Sequence, residues 1–132
     1  MNSLTISVTI ARPLEEVYEF LSIPANFSKW AAGLGGELQE RNHEWFVHTP
    51  QGRMQIRFSE RNSFGVLDHF VKPENAEEIY VPMRVVANGA SSEVVFTFFQ
   101  QPSMSDDAFA RDLELVRTDL TSLKKILEST SN

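Results

Sequence analysis

Three histidines, no cysteine and a few grouped charges are the side chains of this 132-residue sequence on which chemistry could rest. Without cysteine there is no disulfide, no thiolate nucleophile and no Cys-ligated zinc or iron–sulfur site. His43 and His48 stand five apart, and odd spacing along one strand sends them to opposite faces, so they cannot share a metal ion. No HExxH or comparable metal spacing exists. His69 is different, because Leu67, His69 and Val71 fall on one face of a strand read over Gly65–Val71. An inward imidazole among apolar side chains can donate, accept or titrate near neutral pH. His69 is therefore the candidate general acid or base; the plainer readings are a core histidine satisfied by its neighbours, or an outward-facing one. Arg57, Arg84 and Asp68 form a second set. Strand alternation puts all three on the face away from the core, where a solvated ion network is the ordinary outcome and catalysis the exceptional one. The acid pairs Glu15-Glu16, Glu77-Glu78 and Asp106-Asp107 are sequence neighbours at helix starts and a strand edge, unlike a catalytic carboxylate pair. No GxSxG elbow or Walker loop occurs. Gly33-Leu34-Gly35-Gly36 lacks the flanking strand and helix of a dinucleotide fingerprint and reads as a turn. Nothing calls for a cofactor.

The elements that must position these residues are legible from periodicity. Leu4, Ile6, Val8 and Ile10 alternate with Thr5, Ser7 and Thr9, the pattern of a half-buried strand. Pro13 with Glu15 and Glu16 opens a helix whose apolar face is Leu14, Val17, Phe20 and Leu21. Pro24 stops it and starts a second short helix, Pro24–Ala32, carrying Phe27, Trp30 and Ala31. Six strands follow, read at Leu38–Glu40, His43–Thr49, Arg53–Arg61, Gly65–Val71, Ala76–Ala87 and Ser92–Gln100, with punctuating turns such as Pro50-Gln51-Gly52 and Asn88-Gly89. The last element is a helix over Asp106–Glu128, in which Phe109, Leu113, Val116, Leu120, Leu123 and Leu127 step by four and three.

A strand, two short helices, six strands and a long helix make one α+β domain spanning 1–132, with a seven-stranded antiparallel sheet. Such a sheet is about 30 Å wide, whereas a helix is about 10–12 Å across. The sheet must therefore curve around the helix, leaving either a solid core or a pocket. Trp30, Trp45, Met54, Ile56, Phe58, Met83, Phe96 and Phe98 are candidates to line the sheet side, and Phe109, Leu113, Val116 and Leu120 the helix side. Plain core packing uses the same residue types. Alternation leaves the direction of Trp45 open, since Trp45, Phe46 and Val47 put bulk on both faces.

Eighteen acidic against twelve basic side chains give a net charge of −6, which argues against nucleic acid as a partner. The N-terminal stretch has no basic start, and no apolar run approaches the roughly 18 residues of a membrane span. A soluble cytoplasmic protein is the expectation.

The stretch Ile6–Gly33 resembles the START-like (SRPBCC) superfamily, which includes polyketide cyclases and dehydratases, pollen-allergen-type carriers and Hsp90 activator domains. The matching positions are Ile10, Pro13, Val17, Phe20, Leu21, Pro24, Phe27, Trp30 and Gly33. The likeness continues through GVLDHFV at Gly65–Val71 and YVPMRVV at Tyr80–Val86 to the last helix. Ile23 departs from the pattern, where many members carry an acidic or small polar residue. The resemblance implies a helix-grip fold with a ligand cavity between sheet and C-terminal helix, though not one reaction. The expected function is binding of a small hydrophobic or aromatic molecule, with any chemistry of the polyketide cyclase/dehydratase kind resting on His69, and Trp30 and Trp45 shaping the pocket. A non-catalytic carrier or sensor, and an Hsp90-activator-like interaction module, are the competing expectations. Each leaves a homodimer open.

Overall fold

Alternation builds the first strand, β1 (Ser3–Ile10), with Ile6 and Ile10 buried and Thr5, Ser7 and Thr9 in solvent. The computed structural model describes residues 1–31, 37–50 and 52–129. Helix α1 (Leu14–Leu21) starts after Pro13, with Glu15 and Glu16 in its first turn and Val17 fully buried. Pro24–Asn26 forms a 3₁₀ turn that runs into the one-turn helix α2 (Phe27–Trp30). This helix ends at Trp30; Ala32 and the Gly33–Gly36 turn lie outside the described residues, as does Gln51.

The strands that follow are β2 (Gln39–Arg41), β3 (Glu44–Thr49), β4 (Gly52–Phe58), β5 (His69–Pro73), β6 (Ile79–Val81), β7 (Met83–Asn88) and β8 (Ser91–Phe99). Helix α3 covers Asp106–Ser129 and buries Leu113, Leu120, Leu123 and Leu127, while Phe109 and Val116 on the same stripe are half-buried.

The expected seven-stranded sheet is corrected to eight strands in two antiparallel sheets, ordered β1-β8-β7 and β2-β3-β4-β5-β6 among the described residues. Pro82 is the reason. The stretch read as one strand over Ala76–Ala87 keeps its inward alternation of Ile79, Val81, Met83 and Val85, but it changes partners at the proline. Before Pro82 it pairs with β5, and after it with β8. Proline has no N–H for a ladder, and its place here is the seam where one sheet gives way to the other. The stretch read as Gly65–Val71 changes partners in the same way. Leu67 N–H donates to Met83 O at 2.9 Å, whereas His69 and beyond pair with β4 and β6.

The start and end of the fold are tied together. Lys124 Nζ donates to Thr9 O at 2.8 Å, Ala11 N–H to Glu128 Oε2 at 2.8 Å, and Arg12 Nε to Leu127 O at 2.9 Å. Lys124 and the Ala11 N–H hold the Glu128 carboxyl below its usual range. Helix α3 is thereby fixed along β1, and it also packs on α2. Among the described residues no helix is long and apolar enough to cross a membrane.

Candidate ligand-binding site

His69 opens β5, and the register puts it beside Phe58 of β4 on one side and Val81 of β6 on the other. Side chains opposite one another in an antiparallel pair share a face, so His69 faces the core with them. It is 5% exposed. Three phenylalanines surround it. Phe27 from α2 meets the imidazole edge-on at 5.5 Å between centroids, and Phe58 and Phe96 stand at 6.2 Å. Phe27 also packs edge-on against Trp30 at 5.4 Å and Phe58 at 5.5 Å, closing an aromatic cage between sheet and helix.

Among the described residues the one hydrogen-bond contact of the ring is Nδ1 to Leu67 O at 3.4 Å. A carbonyl only accepts, so this contact assigns the proton to Nδ1 and leaves Nε2 as a bare acceptor. Burial lowers the imidazole pKa from its ordinary 6.5 to about 4, opposed by the Leu67 carbonyl and the Asp68 charge, both of which favour the cation. His69 is therefore neutral at pH 7. No sealed side-chain nitrogen or oxygen among the described residues lacks a partner, so the unpartnered Nε2 lies on the part of the ring that solvent reaches.

The remaining candidates all face inward but differ in cover. Trp30, Ile56, Met83, Phe96, Leu113 and Leu120 are buried. Trp45, Met54, Phe58, Phe98, Phe109 and Val116 are half-buried. Pairing of Trp45 with Ile56 settles the direction that alternation left open: Trp45 points to the core side and Phe46 outward under Arg53. Phe98 and Phe109 stack in parallel at 5.2 Å, joining β8 to the first turn of α3. The inward apolar side chains that are only half covered mark the less covered side of the grip, towards β3, β4 and the N-terminal half of α3. Phe27, central to the cage, was not among the sequence candidates; its spacing of three from Trp30 on a short helix was the available signal.

The outward set is structural. Arg84 pairs with Asp68, and Arg57 pairs separately with Glu78 at 3.0 Å while covering the Phe70 ring. His43 and His48 are exposed. Two surface depressions stand out, and neither is lined by α3, so neither is the cavity expected between sheet and C-terminal helix. One is a polar crevice of about 30 Å³, room for a water, which meets the His69 cage at Phe58 and Leu67. The other is an apolar cleft on the far side of α1.

No protein-family model matches the sequence, and no curated protein matches it. Solved structures do. The chain is similar to XoxI from Bacillus cereus, with a TM-score of 0.75 at 15% identity over 98% of this chain and 97% of that one. The Aha1 dimer from Colwellia psychrerythraea gives 0.76 at 15% identity over the whole of both chains. The di-domain ARO/CYC BexL from the BE-7585A biosynthetic pathway gives 0.71 at 15% identity over all of this chain, which spans 48% of BexL. The fold is START-like, a helix grip of antiparallel strands and a long C-terminal helix.

Proposed function

We propose that the protein binds a small hydrophobic or aromatic molecule carrying a hydroxyl group, with the apolar part against the half-covered inner face and the hydroxyl donating to His69 Nε2. The observation that carries this reading is a neutral imidazole inside an aromatic cage, with one nitrogen committed to a carbonyl and the other without a partner. Ligand sites pair apolar walls with few oriented polar groups. A pKa of about 4 favours a hydrogen-bond acceptor over a general acid, since a catalytic acid–base group works best near the operating pH. Carriage or sensing is thus better supported than turnover; chemistry of the polyketide cyclase/dehydratase kind would need a bound substrate that raises the basicity of His69.

Titration with 2-naphthol and with naphthalene, followed by tryptophan fluorescence, tests the reading. Both should bind to the wild type, the alcohol more tightly. His69→Phe should lose the preference for 2-naphthol by about tenfold, the value of one buried hydrogen bond, while binding naphthalene as before. A wild type that binds neither compound rules the reading out. The second reading, an Hsp90-activator-like interaction module, has the full-length likeness to the Colwellia protein in its favour. Sedimentation would show whether a homodimer accompanies either.

A further inference from the structure

The apolar cleft between α1 and the end of β7 has a volume of about 400 Å³ and is walled by Leu14, Tyr18, Phe64, Val85 and Val86. Phe64 is 81% exposed and Val86 49%. Phe64 is nevertheless displayed on a tightly held loop. Asn62 Oδ1 accepts from Phe64 N–H at 2.9 Å and from Val66 N–H at 3.1 Å, its Nδ2 donates to Val66 O at 3.0 Å, and its own N–H donates to Tyr18 Oη at 2.8 Å. An aromatic ring held in water by this much bonding is displayed, not frayed.

The cleft also contains a free strand edge. Val85 N–H turns away from β8 and donates to Gly65 O at 3.0 Å. By alternation Ala87 turns its N–H and C=O the same way, one rung further on. No described residue meets them, and Ala87 lines the cleft.

Charge selects the occupant. Glu15 is the one charged side chain among the lining residues. Its neighbours on α1, Glu16 and Glu19, are paired with Arg12 and Arg61, but Glu15 has no such partner among the described residues. A second copy of a chain with net charge −6 would oppose that carboxylate with like charge, and an anionic lipid surface would do the same.

We propose that the cleft takes an extended basic polypeptide segment as an added strand on β7. Its backbone pairs at Ala87, an apolar side chain fills the cleft against Leu14 and Phe64, and a lysine or arginine lies beside Glu15. Strand addition of this kind draws affinity from main-chain bonds and specificity from alternate side chains. The surface is separate from the His69 cage, and either reading stands if the other falls.

The test uses the full chain, ¹⁵N-labelled, and two acetylated seven-residue peptides, one alternating valine with lysine and one alternating valine with glutamate. The lysine peptide should shift the amide signals of Gly65, Val86 and Ala87 and slow hydrogen exchange at Ala87. Glu15→Lys should weaken it by about tenfold and create binding of the glutamate peptide, as charge reversal across a contact does. Phe64→Ala, at an exposed position, should weaken the lysine peptide several-fold. The proposal is overturned by equal affinity for the two peptides, by Glu15→Lys leaving the lysine peptide unaffected, or by no shifts with either. It is equally overturned if Phe64→Ala abolishes a dimer of the free protein or abolishes sedimentation with phosphatidylcholine vesicles.

Discussion

The Asp68 carboxylate accepts the backbone N–H of Met83 at 2.9 Å, across the seam where the two sheets meet. Its other oxygen accepts from Tyr80 Oη at 2.8 Å, and Arg84 pairs with it from outside. Met83 directly follows Pro82, so one carboxylate holds the residues on both sides of the break. Asp68 also directly precedes His69, which ties the seam to the aromatic cage.

Asp68→Ala should therefore destabilise the protein by about 1–2 kcal/mol, because it strands the part-buried backbone donor of Met83, while the exposed Tyr80 hydroxyl turns to water. Little of this comes from Arg84, which is 41% exposed and screened by water. Urea unfolding measures the loss. Asp68→Asn should lie between the two, since the amide oxygen can still accept from Met83.

Stability should rise with pH between about 4 and 6.5 on account of His69. The folded-state pKa is depressed to about 4, so in that window the unfolded chain binds a proton that the folded chain refuses. The contribution is complete above the unfolded pKa and lost as pH falls through the folded one, a span worth about 3 kcal/mol. Urea midpoints from pH 4 to 7 should show the slope in the wild type. His69→Phe, which suits the cage in shape, should remove that part of it.

Gly65 has a φ of +72°, and a Cβ built there would lie 2.2 Å from Val85 O. Gly65→Ala combines a disfavoured backbone conformation with a backbone clash and should cost about 2 kcal/mol or more. Thermal unfolding reads the cost. Amide shifts should change at Phe64 and Val85, where the loop meets β7.

Val116 lies half-buried on the α3 stripe, on the less covered side of the grip. Val116→Trp should occupy that space. The expected result is at least tenfold weaker uptake of 2-naphthol with a stability change within about 1 kcal/mol, since Val116 is only half covered and lies outside the packed core. Unchanged uptake would place the guest elsewhere.

Much of this architecture is written in the chain. The α3 stripe from Phe109 to Leu127 and the alternation of β1 are each carried by many agreeing residues, and the inward face of His69 follows from Leu67 and Val71, two residues to either side of it. Pro82 was visible as a residue, but its effect depends on which strands lie on either side, and pairing partners are tertiary information. The direction of Trp45 was likewise settled only by its cross-strand partner Ile56. The degree of cover over Met54, Phe98 and Val116 was out of reach for a different reason. Polarity patterns say which way a side chain faces, and cover depends on how far the opposing helix extends over it.

Pairing of the first strand with the last has a consequence for synthesis. Thr5 and Thr97 meet across 92 residues of sequence, and the helix that clasps the same strand is made later still. At roughly 5–20 residues per second, β1 waits on the ribosome for about 5–20 s before a partner exists. Through that interval its row of Leu4, Ile6, Val8 and Ile10 is open to chaperones and to neighbouring nascent chains.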